Sequence, residues 1–101
     1  MIVAGFEWDA GNRAKCRKHG VTLGEIEELF RRTVMVLPDV AHSMSEERFR
    51  AIGRTAAGRH VFVVFTVRQR EDGQLIRPIS ARFMHRREIE RYAQENPELR
   101  D

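Results

Sequence analysis

At 101 residues, 42% of them hydrophobic and 33% charged, the chain has material for one sheet-and-helix core and little beyond it. The balance of 18 Lys+Arg against 15 Asp+Glu leaves a net charge of +3, and lysine occurs only at Lys15 and Lys18, so the basic surface is built from arginine and suits phosphate or carboxylate partners. The lone cysteine, Cys16, excludes an internal disulfide and a cysteine-cluster metal site and fits a reducing cytoplasm. No apolar run approaches the roughly 18 residues of a membrane span, and MIVAGFEWD lacks the basic start and long apolar run of a signal peptide.

Ile2–Trp8 is apolar and rich in strand formers, with Gly5 a candidate bulge. Asp9 can cap a helix running to about Lys18, and Gly20 can end it. Thr22 with Glu25 fits a capping box, and Val21 with Ile26 a hydrophobic staple. The stripe Leu23, Ile26, Leu29 and Phe30 then asks for a packing partner. Thr33–Leu37 reads as a strand stopped by Pro38-Asp39, and Val40–Ser45 as a loop. Glu46–Ile52 alternates, Ala56-Ala57-Gly58 turns, and His60–Arg68 is apolar on both faces, as a central strand would be. Asp72-Gly73 signals a hairpin into Leu75–Phe83, and a final helix runs from about His85 to Glu95, with Pro97 stopping it.

The order β-α-α-β-β-β-β-α predicts an α+β fold. It would be a small antiparallel meander with the two N-terminal helices on one face, followed by a C-terminal helix. Phe49, Ala51, Ile79, Ala81 and Phe83 would line the covered face. Arg48, Arg50, Ser80 and Arg82 would lie together on the opposite, open face, with Arg82 beside Arg48. Pro78, lacking an amide donor, predicts an edge or a bulge. The stretch Leu75–Tyr92 changes period from two to i, i+4, i+7, so a strand feeds directly into a helix. That junction would bring Arg82, His85 and Tyr92 close to one another. Arginine offers a fork for phosphate, histidine a proton carrier near neutrality, and tyrosine a hydrogen bond or a stacking ring.

FEWDAGNRAKCRKHGVTLGEIEELF, EERFRAIG, VFVVFTVR and RPISARFMHRREIERY occur in that order over nearly the whole chain. Together they resemble the BrnT toxins of type II toxin–antitoxin systems. The resemblance implies a RelE-like fold, residues 1–101 as a single toxin domain, and RNA cleavage that inhibits translation without a metal or other cofactor. It also implies a BrnA-like ribbon-helix-helix antitoxin, a toxin–antitoxin heterotetramer, contact with operator DNA only through the antitoxin, and no membrane partner. The sequence departs from the family at Met84-His85, where members often carry Thr-Lys.

Metal-free RNA cleavage needs a base for the 2′-OH, cations for the phosphorane-like transition state and an acid for the leaving 5′-oxygen. Arg48 and Arg82 are the candidates for charge stabilisation, and His19, His85 and Glu47 for acid–base work. Strict alternation turns Glu47 toward the helices with Phe49. Lys18, Arg50, Arg68, Arg86 and Tyr92 are the candidate RNA contacts. Several residues have a plainer structural reading. His19 before Gly20 suits a helix C-terminus, Trp8 and Tyr92 suit a core, Cys16 on a helix face suits packing more than nucleophilic attack, and Arg82 could ion-pair with Glu47 or Glu88. His42 and His60 carry no assignment. No phosphate-binding glycine loop or zinc spacing is present. The competing function is a non-catalytic basic module that only binds RNA or an acidic antitoxin segment.

Overall fold

A computed structural model describes residues 3–32, 34–39 and 46–96. The elements run β1 (Val3–Phe6), α1 (Ala10–Arg17), α2 (Leu23–Arg31), β2 (Met35–Pro38), β3 (Phe49–Arg54), β4 (His60–Arg70), β5 (Gly73–Phe83) and α3 (Arg86–Glu95), which is the expected order. The loop Val40–Ser45, with His42, lies outside the described residues, as do Thr33 and Pro97. One sheet orders the strands β1-β5-β4-β3-β2. The antiparallel meander holds from β2 to β5. The first strand departs from it: β1 runs parallel to β5, with the register skip at Ala4-Gly5 that a bulge produces.

That parallel edge rests on Asn12, which is 5% exposed. Its Nδ2 donates to the carbonyls of Glu7 (2.9 Å) and Pro78 (2.8 Å), so one side chain extends the strand pairing where β1 stops. Its Oδ1 accepts from the Asp9 amide at 2.7 Å, which completes a capping box with Asp9 and starts α1. Pro78 is in a central strand rather than at an edge, but the expected bulge is there. Val64 pairs with Ser80 and Phe65 with Pro78, so Ile79 is skipped and does not join the covered face.

The first core lies between the sheet and the two early helices. Ile26 and Leu29 of α2 and Cys16 of α1 meet Ala51, Val61, Val63, Phe65, Ile76 and Ala81, all within 2% exposure. The α2 cap forms as the sequence predicts, with the Glu25 amide donating to Thr22 Oγ1 at 3.0 Å and the Thr22 amide donating to Glu25 at 2.9 Å. Each fully buried aliphatic or aromatic side chain contributes about 1.5–3 kcal/mol.

The opposite face is not open along its whole length. Near the β5–α3 junction, Met35, Leu37, Ile52 and Phe62 form a second, smaller core with Met84, Ile89, Tyr92 and Ala93. The cause is local: Ile52 and Phe62 are opposite one another in the ladder, and Ile89, Tyr92 and Ala93 follow the i, i+3, i+4 spacing of one helix stripe. The helix α3 therefore rests on the half of this face next to Arg82, and the arginines there flank it.

Candidate functional site

The geometry begins at the end of β5. Arg82 pairs across the ladder with Phe62 and projects to the α3 side, where its guanidinium lies 4.5 Å over the Phe62 ring. Two residues of coil then turn the chain, and His85, in extended conformation, precedes the first turn of α3. Arg82, His85, Arg86, Arg87, Glu88 and Arg91 line an open hollow at the N-terminal end of that helix. The macrodipole there favours an anion, and four guanidinium groups add to the attraction.

Glu88 complicates this picture. Arg82 Nη1 and Nη2 donate to its two carboxylate oxygens at 2.7 Å each, and the His85 amide donates to the same carboxylate at 3.4 Å. Hydrogen bonds from Arg82 hold the Glu88 carboxyl below the ordinary glutamate range, and Glu88 in turn raises Arg82 above the ordinary arginine value. The ion pair with Glu88, the plainer reading of Arg82 in the sequence, forms. The fork is therefore pre-aimed and occupied, and a phosphate entering the hollow competes with Glu88 for it.

A family model described as "Ribonuclease toxin, BrnT, of type II toxin-antitoxin system" matches residues 8–88. The chain belongs to this BrnT family. No curated protein matches the chain. The BrnT match runs from Trp8 through Glu88, so it takes in Arg82, His85 and Glu88 and stops short of Arg91 and Tyr92.

The remaining candidates divide by position in the BrnT fold. Arg86 is an exposed neighbour of His85 and pairs loosely with Glu90 at 3.5 Å. Arg50 donates to the Tyr92 hydroxyl at 3.0 Å and to the Pro38 carbonyl at 3.3 Å, so both Arg50 and Tyr92 brace α3 against the sheet. Arg48 continues the β2–β3 ladder, its carbonyl accepting from the Asp39 amide at 2.8 Å. It shares Arg82's face but not its neighbourhood. Four residue steps separate it from Ile52, the residue in line with Arg82, or roughly 13 Å along the strand. Glu47 is exposed beside Phe49 and Val67, toward the helix-covered face as parity predicts and far from Arg82. Arg68 belongs to a network at that same distant end. Glu7 accepts from Arg70 (3.1 Å) and Arg77 (3.3 Å), Arg68 Nε is 3.8 Å from Glu7 and 3.5 Å from Glu46, and Arg77 reaches Asp9 at 2.8 Å. Hydrogen bonds from Asn12 and Arg77 lower the Asp9 carboxyl.

His19 and Lys18 are exposed at the end of α1, on the other side of β5 from Arg82, where Gly20 (φ 91°) approaches Phe83. Trp8 donates to Glu27 at 2.9 Å and packs with the first core. Cys16 is fully buried, and burial pushes its thiol up to about 11, so it is a packing residue. The sequence reading missed Arg87 and Arg91 as parts of the hollow and had Glu88 only as an ion-pair partner for Arg82. The signal was available: on a helix starting at Arg86, Arg87, Glu88 and Arg91 fall on neighbouring turns and face the incoming strand.

Proposed function

We propose that this BrnT-family ribonuclease toxin cleaves RNA endonucleolytically, without a metal, at the hollow where β5 meets α3. The observation that carries the reading is the convergence there of one exposed histidine with Arg82, Arg86, Arg87 and Arg91 at a helix N-terminus. His85 takes the proton of a ribose 2′-OH. The freed oxygen bonds to the adjacent phosphorus, the bond to the 5′-oxygen breaks, and a solvent proton ends on that oxygen. The products are a 2′,3′-cyclic phosphate and a 5′-hydroxyl. The arginines balance the charge that grows on the phosphoryl oxygens. Metal independence is supported by chemistry these residues complete themselves.

In this reading residues 1–101 act as one toxin domain in the cytoplasm, cleavage stops translation, and no helix of the described residues is long and apolar enough to cross a membrane. The antitoxin is a BrnA-like ribbon-helix-helix protein that covers the arginine-lined hollow with carboxylates, contacts operator DNA on the toxin's behalf and assembles with it as a heterotetramer. One observation favours the second reading, a non-catalytic RNA- or antitoxin-binding module: the Arg82 fork is already filled by Glu88. Incubating the purified protein with RNA in excess EDTA separates the two. Fragments ending in 2′,3′-cyclic phosphate support the toxin as a metal-free nuclease, and RNA that is bound but intact supports the module.

A further inference from the structure

Phe62 and Phe83 back two guanidinium groups on opposite faces of the same end of the sheet. Phe62 lies under Arg82 at 4.5 Å. Phe83, the residue after Arg82, lies under Arg59 at 3.5 Å on the α1 side. The two arginines differ in how they are held. The carboxylate of Glu88 fills Arg82's fork, whereas Arg59 has no carboxylate partner among the described residues and is exposed. Its position is set by a tight turn. Thr55 exchanges backbone bonds with Arg59 and Gly58 at 2.8 and 2.9 Å, Gly58 sits at φ 85°, and Thr55 Oγ1 accepts from the Arg59 amide at 3.2 Å. Gly20, just past the end of α1, approaches the Phe83 ring, and Arg17 and Lys18 are exposed three and two residues before it. The result is an outward-facing guanidinium plane held on Phe83. Met84, the residue before His85, donates to the carbonyl of His60, the residue after Arg59, at 3.0 Å, so the platform and His85 share one end of the sheet.

We infer that Arg59, stacked on Phe83, is a base-stacking platform for single-stranded RNA. It would take the base of a nucleotide flanking the one at His85, while Arg17 and Lys18 meet the adjoining phosphates. Guanidinium planes and aromatic rings stack any base, so the platform would bind with little sequence preference. The inference rests on the RNA-cleaving reading for its substrate but assigns a separate subsite.

The test uses the whole protein and a short single-stranded RNA that resists cleavage by a 2′-O-methyl group at the susceptible position and carries one 2-aminopurine. Stacking quenches 2-aminopurine fluorescence. The wild type should quench it on binding. Arg59→Ala and Phe83→Leu should lose the quench and weaken binding by roughly 5- to 150-fold, the range for one stacked base. Arg59→Lys keeps the charge, so it should preserve the salt dependence of binding while still losing the quench. Circular dichroism checks that each variant is folded, and Arg59→Lys decides the matter should Phe83→Leu fail to fold. A full quench with affinity within twofold of wild type in both Arg59 variants overturns the platform. Absence of any RNA binding by the wild type overturns it as well. Cleavage of unmodified RNA by the same preparations is read separately, so a platform that fails on an active nuclease is told apart from a chain that does not cleave RNA.

Discussion

Replacing Glu88 by glutamine keeps the size of the side chain, removes its charge and leaves one acceptor oxygen where Arg82 had two. The pair is bidentate at 2.7 Å, with the Glu88 side chain 13% and the Arg82 side chain 38% exposed. A hydrogen bond to a charged group contributes about 1.5–3 kcal/mol when sheltered, and solvent screening on the Arg82 side reduces that. A coupling of about 1–2 kcal/mol remains, or a fall in Tm of roughly 5–15 °C for a domain of this size. The sign with pH follows from the lowered Glu88 carboxyl. The stabilisation is complete above the unfolded value, near about 4.3, and is lost as pH falls through the lower folded value. Wild type should therefore lose stability below about pH 4 more steeply than Glu88→Gln. The assay is chemical denaturation of Arg82→Ala, Glu88→Gln and the double variant at pH 7 and across the acid range. The two changes should be strongly non-additive, and Glu88→Gln should bind RNA more tightly at low salt because the freed fork faces the hollow. Additivity within about 0.5 kcal/mol would refute the coupling. Unchanged RNA affinity would refute the competition between Glu88 and phosphate.

Further outcomes follow from the two cores and the buried polar contacts. Leu29→Ala should cost about 2–5 kcal/mol by denaturation, because Leu29 is 1% exposed beneath the sheet and close to Gly53. Asn12→Ala strips the Glu7 and Pro78 carbonyls of their donor and should cost about 2–4 kcal/mol, with hydrogen exchange rising first in β1. Cys16 should resist a thiol reagent at pH 8 in the native protein and react fully once unfolded, given its burial and raised thiol.

Much of the fold was legible because its local signals are strong and agree. The Thr22–Glu25 box and the Asp72-Gly73 turn each have a local cause and appear where expected. The alternation read over Glu46–Ile52 is displaced: the strand runs Phe49–Arg54. The parallel pairing of β1 with β5 was not legible, since the register between strands some 70 residues apart depends on the burial of Asn12 and not on either strand's own pattern. The covered half of the second face was missed for a similar reason. Alternation grouped Arg48, Arg50, Ser80 and Arg82 by parity, and parity carries no information about which end of a strand a helix will cover. The site was half legible. The strand–helix change of period located the junction and placed Arg82 and His85 there, while Tyr92, expected beside them, packs on the second core and accepts from Arg50. Glu47 and Arg68 were drawn in by charge alone, and the ladder carries them to the other end of the sheet.

The most direct test of the central claim compares wild type with His85→Gln in single-turnover cleavage of RNA in excess EDTA, with both melting curves recorded. His85 is exposed ahead of α3, and its imidazole is not needed to start the helix, since Glu88 already accepts from its amide. The account predicts cleavage by the wild type and a loss of roughly 10²–10⁴-fold in the variant, as for removal of a positioned base, with Tm shifted by no more than a few degrees. A variant that cleaves within a few-fold of wild type would contradict it.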